Sequence, residues 1–490
     1  MSFGQSIQIE PANRYRKGGG PRFAVLRLLR NYWWGMRKDG TMQVRGAGEM
    51  GFIEGDARTQ GTLFPVTLEE LIPEDHFCRV IDAFVNRLDM QGLGFTRAEA
   101  AETGRPGYDP RDLLKLYLYG YLQQIRSSRR LESECQRNLE LMWLLRRLRP
   151  DHKSIAEFRR LHRQALMQAG AELVTFARSV GLIRGEWIAI DGSKFRAVSS
   201  THSVHERIAV ERYLESLEAG DREEEPTVDS GAVAAALERL RRHAEPEVGF
   251  MRTAQGMRPA YNVQTAVDAE HGLIVAHQVS DEPSDNRSLL PMAEAAQHAL
   301  GEPATIHVVA DAGYSNGEQA ARCEQKGILP HVPAKRGVNT RGDGTLFDRT
   351  AFQYQEQSNT MLCPAGHTLR SDGRNKLAIV YLARPEVCGA CALKPQCTRS
   401  ARRIVHRHVH EGALERMHQR ATAAAMQLRR CTVEYPFAVL KHIIFGHPRF
   451  LLRGLEGSRC EMSLAVMAYN LKRMLKLMGG TVLRTALAVA

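Results

Sequence analysis

The stretch WIAIDGSKFRAV, Trp187–Val198, decides how the chain is read. Its apolar, strand-like run reaches a carboxylate at Asp191, and Gly192 follows at once. A second stretch, IHVVADAGYSN from Ile306 to Asn316, repeats the shape, with Asp311 just ahead of Gly313. Both read as short buried strands that finish on an Asp and enter a turn. In α/β sheets, residues just past strand ends often line sites. A buried strand should not end on a lone ionised carboxylate, because desolvation is costly. Two such carboxylates together repel unless a cation lies between them. Hard oxygen ligands point to Mg²⁺ or Mn²⁺. Taken singly, each Asp is better explained by capping the turn that follows it.

Working outward, the order is strand, insertion, strand–strand, helix, strand, helix, strand. After WIAIDGSKFRAV come HERIAVERYLESLEAGDREEE and AALERLRRHAEP, an inserted helical hairpin at about 202–248. AYNVQTAVDAEHGLIVAHQVS reads as two strands flanking a hairpin turn. NRSLLPMAEAAQHAL is a helix, TIHVVADAGYS a strand, NGEQAARCEQKG a helix stopped by Gly327, and ILPHVPAK a strand. This is a mixed α/β layer architecture. Two helical stretches close the chain, GALERMHQRATAAAMQLRRCTVEYPFAVLKHII and SRCEMSLAVMAYNLKRMLKLM, the first kinked or split at Pro436. Arg430, Glu434 and Lys441 fall on one face of that first helix at about 100° per residue. They read either as a surface ion-pair ladder or as a metal ligand beside phosphate-binding cations.

Ahead of the strands, residues from about Leu63 to Ala169 are helical in pattern. Asp109 is the expected N-cap of one helix, with Pro110 at its first position. Ser154 with Glu157 suggests a capping box for another. Between Arg126 and Arg163 the text is dense in arginine, and the chain carries a net charge of +12. Such a clustered basic balance points to nucleic acid, with Arg126, Arg129, Arg130, Arg159 and Arg160 as DNA contacts. No run of about 18 uncharged apolar residues suggests a membrane span. Nothing at the N-terminus reads as a signal peptide, so the expected location is the cytoplasm, at the nucleoid.

Four of the nine cysteines fall between Cys363 and Cys397. In a reducing compartment that cluster suggests metal rather than disulfides. Cys388-x2-Cys391 has the spacing of half a zinc site. With Cys363 and Cys397 it would make a four-thiolate structural Zn²⁺ site, and His367 could replace one ligand. The other reading is reduced thiols in a β-rich insertion. Cys78, Cys135, Cys323, Cys431 and Cys460 read as small apolar residues.

Three carboxylates on this frame resemble the ribonuclease H-like catalytic core of DDE transposases. The likeness is to bacterial insertion-sequence transposases with the signature Y-x2-R-x3-E-x6-K, which Arg430, Glu434 and Lys441 match, with Gln427 in place of the tyrosine. DGSKFRA, YNVQTAVD, DAGYSN, AYNLKR and the N-terminal GRPGYDPRDLLKLYLYG…IRSSRRLE are similar to the same subgroup, from about Gly61 to Met478. The resemblance implies that Asp191, Asp311 and Glu434 hold two divalent ions, with Asp191 bridging. It further implies that Arg430 and Lys441 bind phosphates near the cut, and that Tyr314, Lys194 and Asn262 lie close by. Glu461 is a competing acidic residue without the signature spacing. The implied partners are double-stranded DNA, as terminal inverted repeats and as target, and a second copy of the chain on that DNA. A metal-dependent nuclease without strand transfer, or a transposase-derived DNA-binding protein, are the alternative readings.

The expected organisation follows. Residues 1–60 are a basic extension, either without fixed structure or ahead of a true start near Met42 or Met50. Residues 61–180 are a helical DNA-binding domain, and 181–336 the first part of the catalytic core. Residues 337–410 are a Cys-rich insertion, 411–478 the core's C-terminal helices, and 479–490 a tail.

Overall fold

The computed structural model describes residues 67–98, 107–220, 230–241, 243–334, 346–375 and 377–489, and the expectations for residues 1–60 lie outside them. The helices α1 (Phe77–Asn86), α2 (Pro110–Leu122), α3 (Ser128–Arg137), α4 (Leu139–Leu144), α5 (His152–Leu161) and α6 (Arg163–Ser179) come first. α2 starts as its sequence suggests: Asp109 accepts the Arg111 N–H at 2.8 Å, and Pro110 opens the helix. α5 does not start at the expected capping box. Asp151 caps it instead, accepting from the Lys153 and Ser154 N–H groups at 2.9 and 3.1 Å and from the Ser154 hydroxyl at 2.8 Å. A carboxylate accepts more strongly than a hydroxyl, and Glu157 turns to Arg160.

A mixed sheet follows: β1 (Trp187–Arg196), β2 (Gly249–Thr253), β3 (Gly256–Asp268), β4 (Ile274–Ser280), β5 (Ile306–Val309) and β6 (Ile328–His331). Its order is β2-β3-β1-β5-β6, with β4 also paired to β3. β1 is antiparallel to β3 and parallel to β5, and β5 is parallel to β6. The helices α7 (Thr201–Gly220) and α8 (Ser230–Arg241) form the insertion after β1, and α9 (Leu289–Ala299) and α10 (Gly317–Gln325) make the crossovers. β2 is an addition to the expected order. One expectation needs correcting: β1 does not end at Asp191. It continues to Arg196, because β3 goes on pairing with it beyond the point where β5 stops.

The insertion after β6 is a separate five-stranded antiparallel sheet: β7 (Gln353–Gln355), β8 (Thr360–Leu362), β9 (Thr368–Asn375), β10 (Ala378–Leu382) and β11 (Ile404–His408). α11 (Glu411–Arg420), α12 (Ala423–Ala438), α13 (Gly454–Met478) and α14 (Gly480–Val489) close the chain. The expected break at Pro436 falls elsewhere. The chain breaks at Ala421–Thr422, and the Thr422 hydroxyl caps α12 by accepting the Ala425 N–H. Pro436 stays inside α12, and the helix widens into a π segment at Val439–Ile444. A proline removes one helical hydrogen bond and crowds the preceding turn, and a widened turn is one way to absorb that. Residues 480–489, within the expected tail, are helical, with Leu483 and Leu487 buried.

One hydrophobic core runs from α1 and α2 through the sheet to α13 and α14, including Phe84, Tyr117, Phe176, Ile190, Phe195 and Tyr469. From Val66 onward the chain is one compact unit, so the N-terminal helices share their core with the sheet. No helix among the described residues is long and apolar enough to cross a membrane.

Candidate active site

Strand register places the two aspartates. Ala189 of β1 pairs in parallel with Val309 of β5, so Asp191 and Asp311 each stand two residues beyond the same pair. Alternation sends the side chains of Ala189 and Asp191 to one face. α12 covers that face, packing Ala425 and Val433 on Ala189 and Val309. Arg429 lies one turn from each of those helix residues. Its Nη2 donates to Asp191 Oδ1 at 2.7 Å and lies 3.5 Å from Asp311 Oδ2. A cation therefore stands between the two carboxylates. Asp311 also accepts the Gly313 N–H at 2.7 Å, capping the short turn Ala312–Tyr314. The capping reading holds for Asp311 and fails for Asp191, which is inside a strand.

Burial pushes the Asp191 carboxyl above the usual range. Arg429 and the Gly192 N–H oppose that rise, and the Asp311 charge adds to it. Lys441, in the π segment, has its pKa lowered by burial, with the Asp191 charge pulling the other way. Its Nζ sits 6.0 Å from the Phe195 ring and 5.7 Å from that of Phe437.

The face of β1 opposite Asp191 carries a polar network. Asp285 Oδ1 accepts from Asn262 Nδ2 and Gln264 Nε2, both at 2.7 Å, and from Lys194 Nζ at 3.2 Å. The buried Tyr314 hydroxyl donates to Gln264 Oε1. Gly192 makes room for this. A Cβ there would lie 2.3 Å from Gln264 Nε2 and 2.8 Å from Asp285 Oδ1. Lys194, Asn262 and Tyr314, expected near the site, thus meet in one cluster that backs it.

The other expected residues divide. Glu434 and Arg430 are exposed on α12, and no described residue bonds or pairs with Glu434. Arg129 and Arg130 are exposed. Arg160 is exposed but forks onto Glu157, at 3.0 and 2.5 Å. Arg126 and Arg159, also expected as DNA contacts, lie largely buried and are engaged within the protein. Arg126 donates to Glu461 at 2.6 Å and to the Phe445 and Arg449 carbonyls at 3.1 Å. Arg159 is buried over the Tyr117 ring. Glu461 is fully buried and also accepts the Leu451 and Leu452 N–H groups, at 2.8 and 3.0 Å, so its oxygens are committed to structure. The sequence reading missed Arg429, Gln264 and Asp285. Helical phase held the signal for Arg429: it lies midway between Ala425 and Val433 on the sheet-facing stripe.

Two family models match the chain. A Transposase domain (DUF772) covers residues 66–161, and a Transposase DDE domain covers residues 188–471, more than half of the chain. The chain belongs to the DDE transposase family. It is thus an enzyme of DNA cleavage and strand transfer, dependent on divalent metal, and its mixed sheet is the ribonuclease H-like core. Among solved structures, the cryo-EM structure of piggyBac transposase synaptic complex with hairpin DNA matches at 8% identity. The match covers 82% of each chain with a TM-score of 0.23, a likeness too slight to carry argument. No curated protein matches.

Two residues of the transposase fit a divalent ion on structural grounds. Asp191 and Asp311 converge, the buried carboxyl of Asp191 is only partly compensated, and the gap between them already holds a positive group. Glu434 is not gathered with them. Among the described residues, no group of three or more His, Cys, Asp or Glu side chains is placed so that it could hold a metal ion as the structure stands.

Proposed function

We propose that this transposase binds the terminal inverted repeats of its own insertion sequence as a homodimer, cleaves there, and joins the freed ends to target DNA. Asp191 and Asp311 hold Mg²⁺ or Mn²⁺, with Glu434 as the third ligand. The observation that carries this assignment is the parallel β1–β5 register, which sets Asp191 beside Asp311 with a cation between them.

When bound, such ions make water or a 3′-hydroxyl a better nucleophile and stabilise the leaving oxygen. Hydrolysis breaks the P–O3′ bond at the element's end and leaves a 3′-hydroxyl, which then attacks a target phosphodiester. The chain's own residues supply the rest. Arg429 neutralises the aspartate pair while no metal is bound and must give up its place when metal enters. Arg430, exposed beside Glu434, suits bidentate contact with a phosphate. Lys441 holds its ammonium over the rings of Phe195 and Phe437, within electrostatic reach of Asp191. Arg129 and Arg130 on α3, together with Arg160, offer the N-terminal helices' contacts to the DNA backbone.

The test is cleavage of DNA carrying the element's own ends, in Mg²⁺, Mn²⁺ or Ca²⁺. Wild type should cut in Mg²⁺ or Mn²⁺, and Asp191→Ala, Asp311→Ala and Glu434→Ala should each abolish cutting while DNA binding survives. Cutting that survives Glu434→Ala would remove Glu434 from the ligand set. Binding without cutting by wild type in every metal would overturn the catalytic assignment.

A further inference from the structure

The insertion between β6 and α11 has a hydrophobic core of its own, separate from the main one. It consists of Phe352, Met361, Leu369, Tyr381, Ala383 and Val405. A core that small does not hold a module of this size, and small modules are commonly fastened by disulfides or metal. All the cysteines here are free thiols. Yet Cys363, Cys388, Cys391 and Cys397, brought from three separate segments, line a single cavity of about 20 Å³ beside that core.

Local structure aims the sulfurs. Cys363 follows β8 in a tight turn: Gly366 N–H donates to the Cys363 carbonyl at 2.8 Å, and Cys363 N–H donates to the His367 carbonyl at 2.9 Å. Gly366 takes φ +78°, which a side chain rarely tolerates. The turn leaves His367 N–H donating to Cys363 Sγ at 3.3 Å. Cys388 lies in the short helical turn Pro385–Gly389, and Cys397 ends another, Lys394–Cys397. Arg403 ties the second turn down, donating to the Cys397 carbonyl at 2.6 Å and to the Phe347 carbonyl at 3.0 Å.

We propose that Cys363, Cys388, Cys391 and Cys397 bind one structural Zn²⁺ that fastens the insertion. Four sulfur donors select zinc over the hard cation of the aspartate pair. The four cysteines line the cavity but are not gathered tightly enough to hold an ion as the structure stands, so loading would require them to draw together, and each thiol would give its proton to solvent as it binds. His367 is exposed at the cavity's rim and is not a ligand. The fastening matters beyond the insertion. Arg349, just before β7, pairs with Glu411 of α11 at 2.5 Å, and His408 of β11 packs directly against Gly317, just after the Asp311 turn.

The experiment is elemental analysis of the full-length chain purified without chelator, with Co²⁺ exchange as a second readout. Wild type should carry one zinc per chain. Its Co²⁺ form should show the thiolate charge-transfer and d–d bands of a tetrahedral site. Cys388→Ser with Cys391→Ser should lose the metal, whereas His367→Ala and Cys431→Ser should keep it. Removing zinc from wild type should raise hydrogen exchange chiefly across residues 346–410. Wild type that takes up neither zinc nor cobalt overturns the proposal, as does zinc retained by the double serine variant or a brown iron–sulfur chromophore. Zinc lost in His367→Ala overturns the four-cysteine ligand set.

Discussion

Arg429→Ala separates a structural arginine from one that holds the place of a cation. The guanidinium makes a 2.7 Å charged bond to Asp191, with side chains 16% and 22% exposed. A hydrogen bond to a charged group contributes ~1.5–3 kcal/mol, and its loss here leaves a half-buried carboxylate facing a second one. In chelator the variant should therefore be about 2 kcal/mol less stable than wild type. Metal removes the difference. Wild type must break the arginine contact to admit the ion and the variant need not, so the variant should bind Mn²⁺ about 30-fold more tightly. At a free metal level about ten times the wild-type Kd, linkage gives wild type ~1.4 kcal/mol and the variant ~3.4 kcal/mol, closing the gap. Urea unfolding in EDTA and in Mn²⁺, with calorimetric titration of Mn²⁺, measures both quantities. A stability gap of the same size in chelator and in metal would refute the reasoning, and so would weaker Mn²⁺ binding by the variant.

Other consequences are as concrete. Glu461→Ala strands the buried Arg126 and two backbone N–H groups, and should cost ~3–5 kcal/mol in urea unfolding. Whatever folded protein remains should still cut DNA in a metal-dependent way. Gly192→Ala pushes a methyl into Gln264 and Asp285 and should cost ~1–3 kcal/mol, visible as a lowered Tm. His277, bonded to Ser463 at 2.9 Å, has its pKa lowered by burial to about 4. Between that value and the unfolded ~6.5, the unfolded chain binds the extra proton. Stability should thus be full above pH ~6.5 and fall by up to about 3 kcal/mol as the pH drops toward 4. His277→Gln should flatten that slope, and an unchanged slope would remove His277 as its source.

What could be read in advance divides along physical lines. Apolar runs, turn residues and caps are local, so the strand–hairpin–helix–strand–helix order and the Asp109 cap were legible. Register is not local. That β3 continues to pair with β1 past Asp191 while β5 stops at Val309 depends on residues far apart in the chain, so Asp191 read as a strand end. Arg429 was hidden by its neighbour. The motif spacing drew attention to Arg430, whereas the packing of Ala425 and Val433 selects the residue before it. The arginine-rich helices were hard to divide for a related reason: charge count does not distinguish Arg129 and Arg130, which face solvent, from Arg126 and Arg159, which are engaged within the protein.

The phase of α12 also sets the order in which the site is completed. Ala425, Arg429 and Val433 face the sheet, and Glu434 lies about 140° around the helix from Arg429. Turning the helix to bring Glu434 inward would lift Val433 out of the core, and burial of such a side chain is worth ~1.5–3 kcal/mol. Asp191 and Asp311 need no such movement, since the register has already set them side by side. The first ion should therefore bind to the aspartate pair alone, with Glu434 joining when DNA and its phosphates settle against Arg430 and Lys441. Without DNA, Asp191→Asn and Asp311→Asn should each weaken Mn²⁺ binding by tenfold or more, about 1.4 kcal/mol. Glu434→Gln should leave that binding unchanged and lose only the metal affinity gained on adding the element's end. Equal weakening by Glu434→Gln and Asp311→Asn in the absence of DNA would mean that the helix turns before the substrate arrives.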